Sequence, residues 1–253
     1  MNPDIQRANM WKRISAAFLD LILLVILITG IALLLSQIVN YNSYVTALND
    51  GYAKYEEMYD VEFGLDQDAF DALSKEEQDR YMEASNAMDQ DEEVIYAYDM
   101  TINLSFLIIS VSIFLGYLIL EFFVPMLFGN GQTIGKKMFS LALMRTDSVK
   151  LTNFALFVRS MLGKCTIETM VPAMLFMAML VAPIGMIAPT IILGLLAVQI
   201  GLLVSSRNRA CIHDLMAVTV VIDHSSQMIF ETADDLMEHK KQLAAEEAQR
   251  QDY

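Results

Sequence analysis

Thr169–Val204 reads TMVPAMLFMAMLVAPIGMIAPTIILGLLAVQIGLLV, 36 residues without one charged side chain. A bilayer core about 30 Å thick is crossed by a helix of roughly 20 apolar residues, so this block is too long for a single span. The piece Ala182–Pro189 carries Pro183, Gly185 and Pro189, the punctuation of a tight connection. The block therefore divides into two helices, about 168–183 and 187–204. Outward from it, two more apolar runs are long enough to cross a bilayer: about 16–39 near the N-terminus and about 103–127.

Charge tests the division. Lys and Arg in short loops stay on the cytoplasmic side. The N-terminal flank holds Arg7, Lys12 and Arg13; the connection after the second span holds Lys136, Lys137, Arg145, Lys150, Arg159 and Lys164; Arg207 and Arg209 follow the last span. Four spans place all three groups, and both termini, on the cytoplasmic side, whereas three would strand the last group outside. The predicted fold is an all-α membrane protein, a four-helix bundle over residues 1–223, with a charged cytoplasmic tail over 224–253.

The net charge of −14 comes from one segment. Residues 41–100 hold 17 Asp and Glu against three Lys and Arg, and the rest of the chain is balanced. Such a chain lacks the basic footprint of a nucleic-acid binder. The topology makes 41–100 an extracytoplasmic acidic insertion. Within it, Ser74-Lys75-Glu76-Glu77 matches a capping box and predicts a helix over about 74–90. Asp60–Asp71 has acids at alternating spacing, but Leu65 stands where a calcium loop turns on Gly and Asp71 where it ends on Glu, so a solvated helical cap is the better reading. The first run is too long for a signal peptide and reads as a retained anchor.

Asp20 lies inside the first span, two turns from Arg13 on the same helical stripe, about 10 Å away. An unpartnered carboxylate costs about 2.5–3.5 kcal/mol at the centre of a membrane helix, so Asp20 needs a cation, a donor or a proton. Arg13 and Lys136 are the candidate partners. Glu121, four residues before Pro125, and Gln199 are further polar groups inside spans, Glu121 pairing with a lysine or marking a hydrated break. His213-Asp214 follows the last span. His213 titrates near neutrality and suits a proton relay, while the plainer and favoured reading has Asp214 locked to Arg13 or Arg209. Gly131-Gln132-Thr133-Ile134-Gly135-Lys136-Lys137 lacks the spacing of a nucleotide-binding loop and reads as a turn with Gln132 or Thr133 capping a helix. Met138–Met144 alternates loosely and Ala217–Ile222 is rich in β-branched residues; they either pair beneath the membrane or each run along the interface.

"RISAAFLD", "GQTIGKKMFSLALM", "FALFVRS" and "RNRACIHDLMAVTVV" (Arg207–Val221), in this order and spacing, resemble the RDD family of bacterial membrane proteins. The resemblance places the arginine and two aspartates of the family name on Arg13, Asp20 and Asp214. It implies a multi-pass protein of the cell membrane that transports small ions or solutes, cation/proton exchange being attributed within the family. The long acidic first loop and Ala217, where the family tends to Gly, depart from its pattern.

Two readings of function follow. In the first, Asp20 is the titrating group of a transporter, with Arg13, Glu121, Lys136 and Asp214 as its polar network and a homo-oligomer enclosing the path. In the second, the chain is a non-catalytic scaffold whose segment 41–100 binds a protein partner. No catalytic constellation, cofactor or metal site is expected. The two cysteines, Cys165 and Cys211, lack ligand spacing, and the methionines of the third span suit packing better than copper.

Overall fold

The computed structural model describes residues 8–181, 185–206 and 208–251. In chain order the elements are α1 (Met10–Ile38), α2 (Tyr41–Tyr59), α3 (Gln67–Asp71), α4 (Lys75–Met88), α5 (Glu92–Phe128), α6 (Ile134–Met138), β1 (Leu141–Arg145), α7 (Asn153–Val181), α8 (Ile187–Ser205), α9 (Ile212–Met216), β2 (Thr219–Asp223) and α10 (Ala233–Gln251). Four of them, α1, α5, α7 and α8, are long and apolar enough to cross a membrane. The expected spans at 103–127 and 168–183 fall on longer helices, which begin at Glu92 and Asn153. Ala182, Pro183 and Ile184, within the predicted connection, lie outside the described residues.

Burial in this chain is inverted relative to a water-soluble protein. Trp11, Phe18, Val25, Ile26, Leu33 and Leu34 of α1 are exposed, while Glu121, Lys136, Arg159 and Asp214 are buried. With lipid as solvent, outward apolar side chains cost nothing and polar groups gather inside. The chain is an integral membrane protein.

Two stretches depart from α-helical winding. Leu118–Phe123 of α5 and Val158–Met170 of α7 are π-helical. There Val124 N–H donates to the Ile119 carbonyl and Val171 N–H to that of Thr166, both five residues back.

The chain forms two compact units. One comprises Met1–Ile31 with Ser112–Tyr253, the other Ala32–Val111. In the first, β1 and β2 pair antiparallel, Leu141 opposite Asp223 and Arg145 opposite Thr219. The small sheet is buried on both faces. Leu141, Leu143 and Val221 pack on Ala8 and Ala16, while Ala142, Met144, Val220 and Ile222 pack on Ile229. Ser140 and Val218, each at positive φ, turn the chain just before a strand. Lys12 pins the outer end of β2 through Asp223 at 2.8 Å.

The second unit holds the acidic segment. Tyr55, Met88 and Val94 form its core with Leu48, Tyr52, Tyr59 and Phe63. Ser74 and Glu77 form the predicted capping box at the start of α4. The acids of 60–71 serve local structure: Asp66 caps α3 through Ala69 N–H at 2.8 Å, Asp71 accepts from Gln67, and Asp60 lies 3.6 Å from Arg80. Asp91 accepts from Lys54 at 2.8 Å and Tyr55 Oη at 2.9 Å.

Candidate functional site

The site lies wholly within the first unit and starts at Asp20. The start of α6 lies against α1 at Ala16 and Asp20. Thr133 caps α6, its Oγ1 accepting from Lys136 N–H at 3.3 Å. The same hydroxyl donates to Asp20 Oδ2, and Gly135 N–H donates to Asp20 Oδ1 at 2.7 Å. Contact this close requires glycine: a Cβ on Gly135 would collide with the Ala16 carbonyl oxygen and stand 2.9 Å from Asp20 Cγ. Lys136 Nζ completes the group, 3.1 Å from Thr133 Oγ1 and 3.9 Å from Asp20 Oδ2. Of the two expected partners, Asp20 therefore has Lys136. Burial, then the charge of Lys164, push Lys136 down to about 7 against the pull of Glu121.

Arg13 turns to the second aspartate instead. Asp214, 1% exposed, accepts Arg159 Nη2 at 2.7 Å and Nε at 3.1 Å on Oδ1, with Thr219 Oγ1 at 3.3 Å from the same oxygen. Its Oδ2 accepts Cys211 N–H at 3.2 Å and lies 3.7 Å from Arg13 Nη2. Burial opposes the charge of Asp214, but Arg159 and then His213 outweigh it and hold the carboxyl well below its usual range. Arg13 is thus a distant second partner and Arg159 the principal one. Arg209 makes no ion pair among the described residues.

Two further pairs complete the network. Glu121 binds Lys164 at 2.7 Å. Glu168 accepts both the backbone N–H of His213 at 3.1 Å and its Nδ1 at 2.8 Å. Gln199 of α8 steadies the corner, its Oε1 accepting Ile212 N–H at 2.9 Å. Burial, and then Arg159, lower His213 below its ordinary value, against the pull of Glu168.

π-helical winding is what brings the α7 groups together. At 3.6 residues per turn, Arg159 and Glu168 would face opposite sides of the helix. A turn closed by i→i+5 bonds takes about 4.4 residues, so their nine-residue separation makes two turns and Arg159, Lys164 and Glu168 share one stripe. Gly163 lies beside that stripe, where a Cβ would stand 2.6 Å from His213 Cβ, so α9 presses directly on the helix.

These groups surround a cavity of about 290 Å³, with Asp20, Glu121, Lys136, Arg159, Lys164 and His213 in its wall. Counting Asp214 behind them, four acids (Asp20, Glu121, Glu168 and Asp214) stand with four bases (Arg13, Lys136, Arg159 and Lys164), and His213, Cys211 and Tyr117 are further titratable groups in the wall. Arg13, Asp20, Glu121, Lys136 and Asp214, the residues singled out from sequence, therefore all belong to one network. Arg159, Lys164 and Glu168 are additions. The first two stood out only as basic topology markers, and Glu168 lies next to the charge-free block; the only signal for their role was a charge spacing meaningless on an α-helix.

Cys211, His213 and Asp214 offer ligand atoms within 4.8 Å of one another. The donor set does not suit a metal ion: Asp214 is committed to a guanidinium and His213 Nδ1 to Glu168, while burial and then Asp214 raise the Cys211 thiol.

The sequence model of the RDD family matches residues 7–218. Comparison with curated proteins and with solved structures returned no match.

Proposed function

The chain belongs to the RDD family, and from that premise we propose that it transports small ions or solutes across the cell membrane, with Asp20 as the coupling carboxylate. The observation behind this reading is the charge-lined cavity, set among buried acids and bases in a protein whose long helices turn apolar faces outward. Ionisable groups inside membrane segments are expensive and characteristically mark ion or proton pathways.

Asp20 suits the coupling role better than Asp214. Asp214 is fixed by a guanidinium and inaccessible, whereas Asp20 borders the cavity and is joined through a hydroxyl to Lys136, whose proton is loosely held near neutrality. Exchange of a cation for protons fits that arrangement, since the coupling group must change occupancy during each cycle. Both termini then lie in the cytoplasm, the acidic unit lies outside, and protomers associate in the membrane. The test is proton movement driven by Na⁺, K⁺ or Li⁺ gradients in liposomes holding the purified protein. Movement with one of these cations, absent from empty liposomes, supports the proposal; silence with all of them opposes it.

A second reading keeps the acidic unit at its centre. Residues 41–100 fold around their own aromatic core, with Tyr52, Phe63, Tyr81 and Phe70 in successive edge contacts. An ordered, strongly acidic surface is suited to a basic protein partner, and the chain then acts as a membrane scaffold. Crosslinking in intact cells separates the two: a partner captured through 41–100 beside transport-silent liposomes favours the scaffold.

A further inference from the structure

The cavity wall combines two chemistries. Ile14, Ala17, Leu21 and Leu24 of α1, with Leu203 of α8, supply apolar lining beside the charged groups. Ile14 and Leu21 are about half exposed, so this apolar lining reaches the outward surface of α1.

Each acid of the network is already occupied by short contacts. Asp20 has Gly135 N–H and the Thr133 hydroxyl, Glu121 has Lys164, Glu168 has His213, and Asp214 has Arg159 and does not line the cavity. The spare hydrogen-bonding capacity belongs to a donor. Arg13 lines the cavity, its side chain is only 12% exposed, and among the described residues its one ionic neighbour is Asp214 at 3.7 Å, too far for a hydrogen bond. A guanidinium carries five N–H donors in a fork that matches the oxygens of a phosphate. Arg159 and His213 stand beside it in the same wall.

We infer that the cavity is a lipid site, in which Arg13 binds the phosphate of an anionic phospholipid of the bilayer while an acyl chain lies along Ile14, Leu21, Leu24 and Leu203. The geometry selects this ligand on two grounds. The unmet polar demand is for an oxyanion, and the adjoining wall is apolar and opens toward lipid. Basic pockets between transmembrane helices hold anionic head groups for this combination of reasons. A lipid docked there bridges α1 and α8, and it does so whether or not the cavity conducts.

The test is thermal unfolding of the full-length protein in a neutral detergent, titrated separately with phosphatidic acid, phosphatidylglycerol, phosphatidylcholine and inorganic phosphate. Both anionic lipids protect the wild type at lower concentrations than phosphatidylcholine of the same chain length. Arg13→Gln weakens that protection about tenfold, the loss of one bidentate charged contact. Arg145→Gln, which removes a basic residue absent from the cavity wall and paired with Asp147, leaves it unchanged. Equal protection by phosphatidylcholine overturns the proposal, and so does equal protection by inorganic phosphate, which assigns the site to a free oxyanion. Should Arg13→Gln fail to fold, the wild type still decides: phosphatidic acid with a photoreactive group on its acyl chain labels the peptides containing Leu21–Leu24 and Leu203, and labelling elsewhere refutes the placement.

Discussion

Replacing Arg159 with Met leaves Asp214 as a buried carboxylate without its principal counter-charge. The substitution keeps the length and apolar stem of the side chain, so it removes two charged hydrogen bonds to Oδ1, at 2.7 and 3.1 Å, with little loss of packing. Breaking a buried ion pair by deleting one partner costs about 3–5 kcal/mol. Here Cys211 N–H, the Thr219 hydroxyl and the more distant Arg13 remain around Asp214 and moderate the penalty. The lower end of that range, about 3 kcal/mol, is the expected loss. The assay is reversible unfolding in mixed micelles, run on wild type, Arg159→Met, Asp214→Asn and the double variant. Because the penalty comes from an orphaned charge, the double variant recovers part of it, and the cycle gives a coupling of about 2 kcal/mol or more. A loss below about 1 kcal/mol for Arg159→Met, or strict additivity, would falsify the assignment of Arg159 as the principal partner of Asp214.

Other substitutions test separate joints. Gly135→Ala pushes α6 away from α1, because its Cβ meets the Ala16 carbonyl oxygen and stands 2.9 Å from Asp20 Cγ; unfolding measurements should show a loss of about 1–3 kcal/mol, whereas a neutral result contradicts the packed contact. Ser74→Ala removes one half of the α4 capping box and costs about 1 kcal/mol, read in the same assay; no change means the cap contributes nothing there. Lys136, held at about 7, binds fewer protons folded than unfolded between that pH and its unfolded value near 10.4. Stability therefore rises as pH rises through this window, and Lys136→Met flattens the rise; a wild-type curve falling over the same window contradicts the assigned burial. Asp91, lowered to about 2 first by its bond from Lys54 and then by that from Tyr55, has the opposite sign: its contribution is complete above the unfolded value near 3.9 and is lost as pH falls through 2, a loss absent in Asp91→Asn.

Much of the architecture was legible because it rests on local signals. Apolar length marks the four long helices, Ser74 and Glu77 sit at capping-box spacing, and the β-branched run before Asp223 finds its partner in Leu141–Arg145. The contact between Asp20 and Lys136 was within reach because Thr133 and the flanking glycines announce a turn followed by a short helix. The partners of Asp214 and His213 were hidden for a physical reason. Sequence patterns are read at 3.6 residues per turn, and that period scatters Arg159, Lys164 and Glu168 around α7; only the π-helical stretch aligns them. The extent of α7 was obscured in the same way, since its first half carries charges that are unfavourable facing lipid and acceptable facing a cavity of opposite charges.

The most direct test of the transport reading compares liposomes holding equal amounts of folded wild type, Asp20→Asn and Asp214→Asn, with proton movement followed after a cation gradient is imposed. Coupling through Asp20 requires movement in the wild type, none in Asp20→Asn, and retained movement in whatever fraction of Asp214→Asn remains assembled. Undiminished movement in Asp20→Asn would contradict it.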